Sequence, residues 1–313
     1  QDGCNLNKEP DMARVIDLEI SVPKSEADPS IHEITTGRPG TPFPGSLPRP
    51  EGYGFDNYAR VFRQATNRGA SAQASNDDGG YPQLVADMDR AGIQAGLLVG
   101  ANNNAIGKIH QQFPGRFFTL VTINPMDGMR GVRELERLVR EQGAGGIRVS
   151  PLYTCIPASD KRYYPLYAKC VELDVPVRIY TAMTYANDRP YEIAHPRHLD
   201  EICVDFPELR VIAGLGGWPW ISDMVGLLRR HPNLYADTAA HRPKYLAQAG
   251  SGWEQFMQFG NSLLQDKVMV GLSRYLFGVS FEQLIQEYQS LPIKEKVMEK
   301  WLYGNAATFF RIG

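Results

Sequence analysis

Residues 175–217 read "VPVRIYTAMTYANDRPYEIAHPRHLDEICVDFPELRVIAGLGG". The opening "VPVRIYTAM" and the closing "LRVIAGLGG" are short apolar runs of strand character. Between them "PRHLDEICVDFP" sets apolar residues at helical spacing, and Pro196 suits the first helical position because its missing N–H has no partner there anyway. A strand, a helix and a strand in so short a stretch need a crossover, so the two strands pair in parallel through a right-handed connection.

The same unit recurs on both sides. Strand runs are "ARVIDLEISV" (13–22), "AGLLVG" (95–100), "FFTLVTINP" (117–125), "GGIRVSPL" (145–152), "NLYADTAA" (233–240) and "KVMVGLSRY" (267–275). Helical spacing fills the gaps in "YPQLVADMDRAGI", "GMRGVRELERLVREQG", "YYPLYAKCVELD" and "WISDMVGLLRRHP". Eight such units predict a (β/α)8 TIM barrel, one domain over residues 1–313. An open doubly wound sheet is the competing arrangement. Its dinucleotide-binding form is disfavoured because no Gly-rich phosphate fingerprint follows the first strand. The "GLGG" at 214–217 reads as a tight strand-to-helix turn.

Residues 23–80 interrupt the rhythm with "GRPGTPFPGSLPRPEGYGF", rich in Pro and Gly. A connection this long predicts a lid or a disordered stretch, with "FDNYARVFRQA" (55–65) as a helix over the barrel mouth. After the last strand, "SFEQLIQEYQS", "IKEKVMEKWLYG" and "NAATFFRI" predict a helical C-terminal tail on the outside of the barrel. The polar start "QDGCNLNKEPD" reads as a loose terminal segment.

The net charge of −2 gives no support to nucleic acid or an anionic membrane as a partner, and no apolar run approaches the roughly 20 residues of a bilayer span. Cys4, Cys155, Cys170 and Cys203 are scattered without metal spacing, so they read as free thiols in a reducing, cytoplasmic setting. Cys155 follows a strand but has no histidine near it in sequence, which disfavours a nucleophilic role. The expected partner is a small-molecule substrate, with a homo-oligomer left open.

"VPVRIYTAM", "AHPRHLDEICVDFPELRVIAGLGGWPW", "NLYADTAA" and "LYGNAATFF" together resemble the amidohydrolase superfamily, in its amidohydrolase-related branch that includes aminocarboxymuconate-semialdehyde decarboxylase. The resemblance runs from about residue 13 to 311. It implies a metal-binding barrel: a His-x-His pair after strand 1, histidines after strands 5 and 6, and an aspartate after strand 8. Carried over by position, these fall on Glu19 and Ser21, on Tyr180, on Leu215, and on Ser273 or Arg274. No histidine remains at any of them. A catalytic zinc takes about three nitrogen, sulfur or carboxylate ligands, so the expectation is no metal and no cofactor. A relocated site using Glu19 with His195 or His241 is the competing reading.

Active sites of this fold lie at the C-terminal ends of the strands, so the replaced positions still mark the floor of the site. The candidate catalytic residues are Glu19 for proton transfer, Tyr180 and Arg148 for a developing negative charge, His241 as a proton shuttle, and Ser273. Candidate substrate contacts are Ser21, Arg178, His195, Trp218, Asp237, Arg274 and Tyr153, with His32, Tyr53 and Tyr58 from the insertion as further pocket residues. Alternation puts Arg178 on the same face as Tyr180, one layer deeper. The bland alternative is a satisfied Glu19–Arg pair inside the barrel, His195 as a helix cap, and Tyr180 as packing. His110, His198 and His231 read as surface or structural. The expected function is a metal-independent hydrolase of a small cyclic or anionic molecule, with a non-oxidative decarboxylase or other lyase second. A ligand-binding pseudoenzyme is the non-catalytic alternative.

Overall fold

The computed structural model describes residues 13–23, 53, 54, 57, 61 and 79–312. Eight parallel strands alternate with helices. They are β1 (Val15–Ser21), α1 (Gly80–Arg90), β2 (Ile93–Val99), α2 (Ile106–Gln112), β3 (Phe117–Thr119), α3 (Met129–Gln142), β4 (Ile147–Val149), α4 (Tyr164–Glu172), β5 (Val177–Tyr180), α5 (Arg197–Asp205), β6 (Val211–Gly214), α6 (Ile221–Arg230), β7 (Leu234–Asp237), α7 (Glu254–Gly260) and β8 (Val268–Met269). Strands β1–β3 form one run of neighbours and β4–β8 another, all in sequential order. Backbone hydrogen bonds join the two runs at both seams. Arg148 N–H donates to Val121 O and Val121 N–H to Gly146 O at one seam, and Leu18 N–H donates to Val270 O at the other, each at 2.9 Å. This closes the ring as the sequence predicts for a TIM barrel.

The strands are short, but alternation is strict where it matters. On β5, Val177 and Ile179 join the outer layer between strands and helices, so Arg178 and Tyr180 face inward. The lower lumen is plugged by Ile16, Leu18, Leu97, Ile212 and Met269, all essentially unexposed. The chemistry is therefore confined to the upper layer.

After β8 and a four-residue helical turn (Arg274–Phe277) come three longer helices, α8 (Phe281–Gln289), α9 (Glu295–Glu299) and α10 (Asn305–Phe310), the last two joined by a π-helical turn over Lys300–Gly304. The tail does two jobs. Leu284, Tyr288, Val297 and Trp301 pack into the outer layer, as the sequence suggests. The end of the tail instead seals the floor of the barrel. Phe310 stacks on Phe118 at 4.5 Å between ring centroids, Phe309 meets Tyr235 edge-on at 4.9 Å, and Asn305 Nδ2 donates to Val268 O at 2.6 Å. The N-terminal segment and nearly all of the 23–80 insertion, including His32 and Tyr58, lie outside the described residues.

Replacing Phe309 with Ala should lower the unfolding free energy by about 3 kcal/mol, since it opens a cavity beneath the lumen plug. Leu263→Ala, at a position 69% exposed, should change it by less than about 0.5 kcal/mol. Urea denaturation of both variants checks this contrast.

Candidate active site

The upper end of the barrel opens into a cavity of about 770 Å³. Its polar lining includes Glu19, Ser21, Arg148, Tyr180 and Ser273, each delivered by the C-terminal end of a different strand or, for the first two, by β1. Aromatic walls come from Trp218, Trp253, Tyr153, Tyr185, Tyr245 and Tyr275. A mostly apolar cavity with a few converging polar groups suits a flat organic ligand.

Beneath the cavity lies a buried charge cluster. Arg178 Nη2 sits 2.6 Å from Glu19 Oε2, and Arg178 Nε donates to Asp237 Oδ2 at 2.7 Å. The other Asp237 oxygen accepts the backbone N–H groups of Leu215 and Ala239, both at 3.0 Å. Asp237 is completely buried and Arg178 nearly so, whereas 21% of the Glu19 side chain is exposed toward the cavity. Burial works against the Arg178 charge, but the Asp237 and Glu19 carboxylates outweigh it and hold the guanidinium firmly protonated. A buried ion is tolerated only when opposite charges are this close. Neither Arg178 nor Asp237 lines the cavity, so both support the floor rather than face a ligand.

Arg148 is different. It lies directly beside Arg178 in the β4–β5 ladder, and it faces the cavity. Among the described residues its guanidinium makes no hydrogen bond or ion pair. Two arginines side by side repel unless they are compensated. Glu19 and Asp237 bracket Arg178, whereas Arg148, among the described residues, touches neither carboxylate and presents its guanidinium at the ligand's level.

The remaining candidates separate by contact. Ser273 adopts a left-handed backbone (φ 50°), and its Oγ accepts the Ala240 N–H at 2.8 Å at the cavity edge. Arg274 turns away to Asp87, at 2.8 Å, and stacks over Phe281, so the strand-8 position at the cavity is Ser273. Tyr180 OH donates to Met183 O at 3.1 Å. His195 Nδ1 accepts the Arg197 N–H at 3.1 Å at the start of α5 and its ring contacts Trp220, away from the cavity lining. His241 lines the cavity between Trp218 and Trp253. Burial pushes its imidazole down to about 4, despite the Asp237 charge and a hydrogen bond with the Leu215 backbone. At neutral pH the ring is uncharged, which narrows the expected shuttle role to hydrogen bonding and packing. Tyr53 is half exposed, and its neighbours Gly54 and Asn57 bond to the 185–187 loop, through Asn187 Oδ1 at 2.8 Å and Tyr185 O at 2.6 Å.

Sequence reasoning passed over two contributions. Tyr245, Gln248, Ser251 and Trp253 come from the long loop after β7, which has no periodic pattern to mark it. Asp17 is the other. It is fully buried, its Oδ1 accepts the N–H groups of Leu272 at 2.7 Å and Glu19 at 2.9 Å, and its Oδ2 has no hydrogen-bond partner. Burial drives this carboxyl up to about 7, with Glu19 and Asp237 adding to the rise and the two backbone bonds opposing it.

A divalent metal does not fit the inherited positions. The donors there are one carboxylate, the hydroxyls of Ser21, Tyr180 and Ser273, and an aliphatic Leu215. The carboxylate is already held by a guanidinium at 2.6 Å. Among the described residues no three His, Cys, Asp or Glu side chains are grouped to hold an ion, which also leaves Glu19 with His195 or His241 unsupported as a relocated site.

The raised Asp17 and lowered His241 give opposite pH signatures. Asp17 binds its proton more tightly when folded, so its contribution is present below pH 4 and is lost as pH rises to about 7, by about 1.4 kcal/mol per unit at most. His241 binds its proton less tightly when folded, so its contribution is present above pH 6.5 and is lost as pH falls toward 4. The two partly cancel. Asp17→Asn should therefore gain stability relative to the parent chain as pH rises from 4 to 7, read by urea melts across that range.

Residues 56–312 match the family described as Amidohydrolase. A 2-keto-4-carboxy-3-hexenedioate hydratase of Sphingobium sp. (strain NBRC 103272 / SYK-6) is 32% identical over 156 residues, 44% of this chain and 46% of the hydratase. The match thus spans under half of that relative's length. An uncharacterized TIM-barrel protein of Bordetella bronchiseptica superposes with a TM-score of 0.70 at 23% identity, over 95% of this chain and 98% of its own. A 5-carboxyvanillate decarboxylase of Novosphingobium aromaticivorans, crystallised with manganese and 4-hydroxy-3-methoxy-5-nitrobenzoic acid, superposes at 0.62 with 17% identity, over 96% of each chain. No helix among the described residues is long and apolar enough to cross a membrane. The matched region covers most of the sequence, and the chain belongs to the Amidohydrolase family of enzymes.

Proposed function

We propose that this chain is a metal-independent lyase that acts on a small, planar, carboxylated molecule, with Glu19 moving the proton and Arg148 holding the carboxylate. The observation that carries this reading is the Arg148 guanidinium, without an ion-pair partner among the described residues, facing an aromatic-lined cavity beside a partly exposed Glu19 side chain. A guanidinium fork binds a carboxylate bidentately through charge-assisted hydrogen bonds. Trp218 and Trp253 supply flat surfaces for a conjugated or cyclic body. Glu19, fixed from below by Arg178, stands at the rim between floor and cavity as proton donor or acceptor.

Hydrolysis ranks second. It needs several donors aimed at a developing oxyanion, and Tyr180 already gives its proton to the Met183 carbonyl, which leaves Arg148 to carry that charge. Proton transfer at a carbon beside a conjugated carboxylate asks for one anchored anion and one acid or base, which this cavity has. The names of the hydratase and decarboxylase relatives point the same way. Convergence of charged groups at the mouth, over an apolar plug, disfavours the pseudoenzyme alternative.

Benzoate and 2,6-dihydroxybenzoate should quench tryptophan fluorescence on binding, and Arg148→Met should weaken that binding roughly 10-fold or more. In a panel of carboxylated aromatics and unsaturated dicarboxylic acids assayed with chelator, turnover should fall at least ~100-fold in Glu19→Gln. Undiminished turnover by that variant, or equal benzoate affinity without Arg148, contradicts the reading.

A further inference from the structure

We propose that Arg178 is a fixed internal cation: its guanidinium fills the carboxylate floor where a divalent ion would otherwise bind, and it positions Glu19 at the cavity. The role rests on the reading of Glu19 as the proton-transfer group. It extends that reading by assigning what takes over the electrostatic work of an ion.

Four observations converge on the same atom group. Two carboxylates from strands separated in the ring only by β8, Glu19 of β1 and Asp237 of β7, close on one guanidinium that reaches across from β5, at 2.6 and 2.7 Å. Such a span is also what two carboxylate ligands of a small divalent cation present. Asp237 cannot swing away, because its second oxygen is fixed by two backbone N–H groups. The facing wall is cut to the shape of the guanidinium: a Cβ on Gly214 would lie only 3.2 Å from Arg178 Cζ and Nε. Finally, Arg148 stands next to Arg178 in register, so an ion approaching from the cavity meets two positive charges. Arg178 does not line the cavity and touches no ligand there; it acts through Glu19 as a positioning residue.

The consequence is specific. With the guanidinium in place between the two carboxylates and Arg148 beside it, the positive charges match the negative ones and a metal has little electrostatic reason to enter. With it removed, Glu19 and Asp237 become two converging, buried carboxylates with room between them, and a hard divalent cation with its waters should take the vacated place.

The test titrates chelator-stripped protein with Mn²⁺ alone and follows loss of the free-ion signal by electron paramagnetic resonance, with thermal melts in parallel. The parent chain should take up no Mn²⁺ at 100 μM, as should Arg178→Lys, which keeps the charge. Arg178→Ala should bind about one ion per chain and melt several degrees higher with Mn²⁺ than without, and Glu19→Gln in the same background should abolish both effects. Uptake by the parent chain equal to that of Arg178→Ala overturns the proposal, and so does a folded Arg178→Ala that takes up none. If Arg178→Ala is not recovered folded, the charge-keeping Arg178→Lys must melt above the neutral Arg178→Met; Met melting at or above Lys overturns it. Because no substrate enters this measurement, its failure is distinct from failure of the Glu19 role, which is read from turnover with Arg178 intact.

Discussion

The ion-paired row Glu19–Arg178–Asp237 sets what the rest of this barrel can do. A guanidinium buried in a protein interior is tolerable only when its charge is met by carboxylates and its donors are used. Here one carboxylate is supplied by β1 and one by β7, and the guanidinium reaches both from β5. The row therefore fixes three strand ends with respect to one another, and through them the geometry of the cavity floor. Everything above it is arranged around the result: one carboxylate edge reaching the cavity and one neighbouring arginine with no ion-pair partner among the described residues.

From that arrangement a division of labour follows between layers. The lowest layer, plugged by aliphatic side chains and sealed by Phe309 and Phe310, keeps water out of the barrel axis. The middle layer holds buried charge that never meets a ligand. The top layer offers Arg148, Glu19 and the aromatic walls. In a metal-dependent barrel the middle and top layers are bridged by an ion that both orients groups and polarises the substrate. In the proposed mechanism those two tasks are separated: Arg178 would orient, Arg148 would bind, and proton transfer by Glu19 would join them.

Much of the fold was legible because eight apolar runs alternate with helical spacing, and only a few topologies accommodate that order. The inward direction of Arg178 and Tyr180 was legible too, since Val177 and Ile179 leave them no other face. What the alternation cannot give is partnership. Nothing in "GIRVS" or "VRIY" says that Arg178 is neutralised and Arg148 is not, because that depends on β1 and β7 closing across the ring. The choice between Ser273 and Arg274 depended on one left-handed residue that no propensity at serine announces. Asp17 sat in plain view in "VIDLEIS", but a carboxylate in a strand gives no sign of how completely it is buried. The tail's helical spacing reads as that of covering elements; that the last turn enters the floor of the ring is a matter of chain length and closure.

The claim at the centre is that protein cations have taken over from a metal ion. Elemental analysis of the purified chain, coupled to turnover measured before and after exhaustive chelation, addresses it most directly. The account predicts far less than one equivalent of any transition metal per chain and a rate that chelation leaves unchanged. A stoichiometric zinc or manganese ion whose removal abolishes turnover, and whose return restores it, would contradict it.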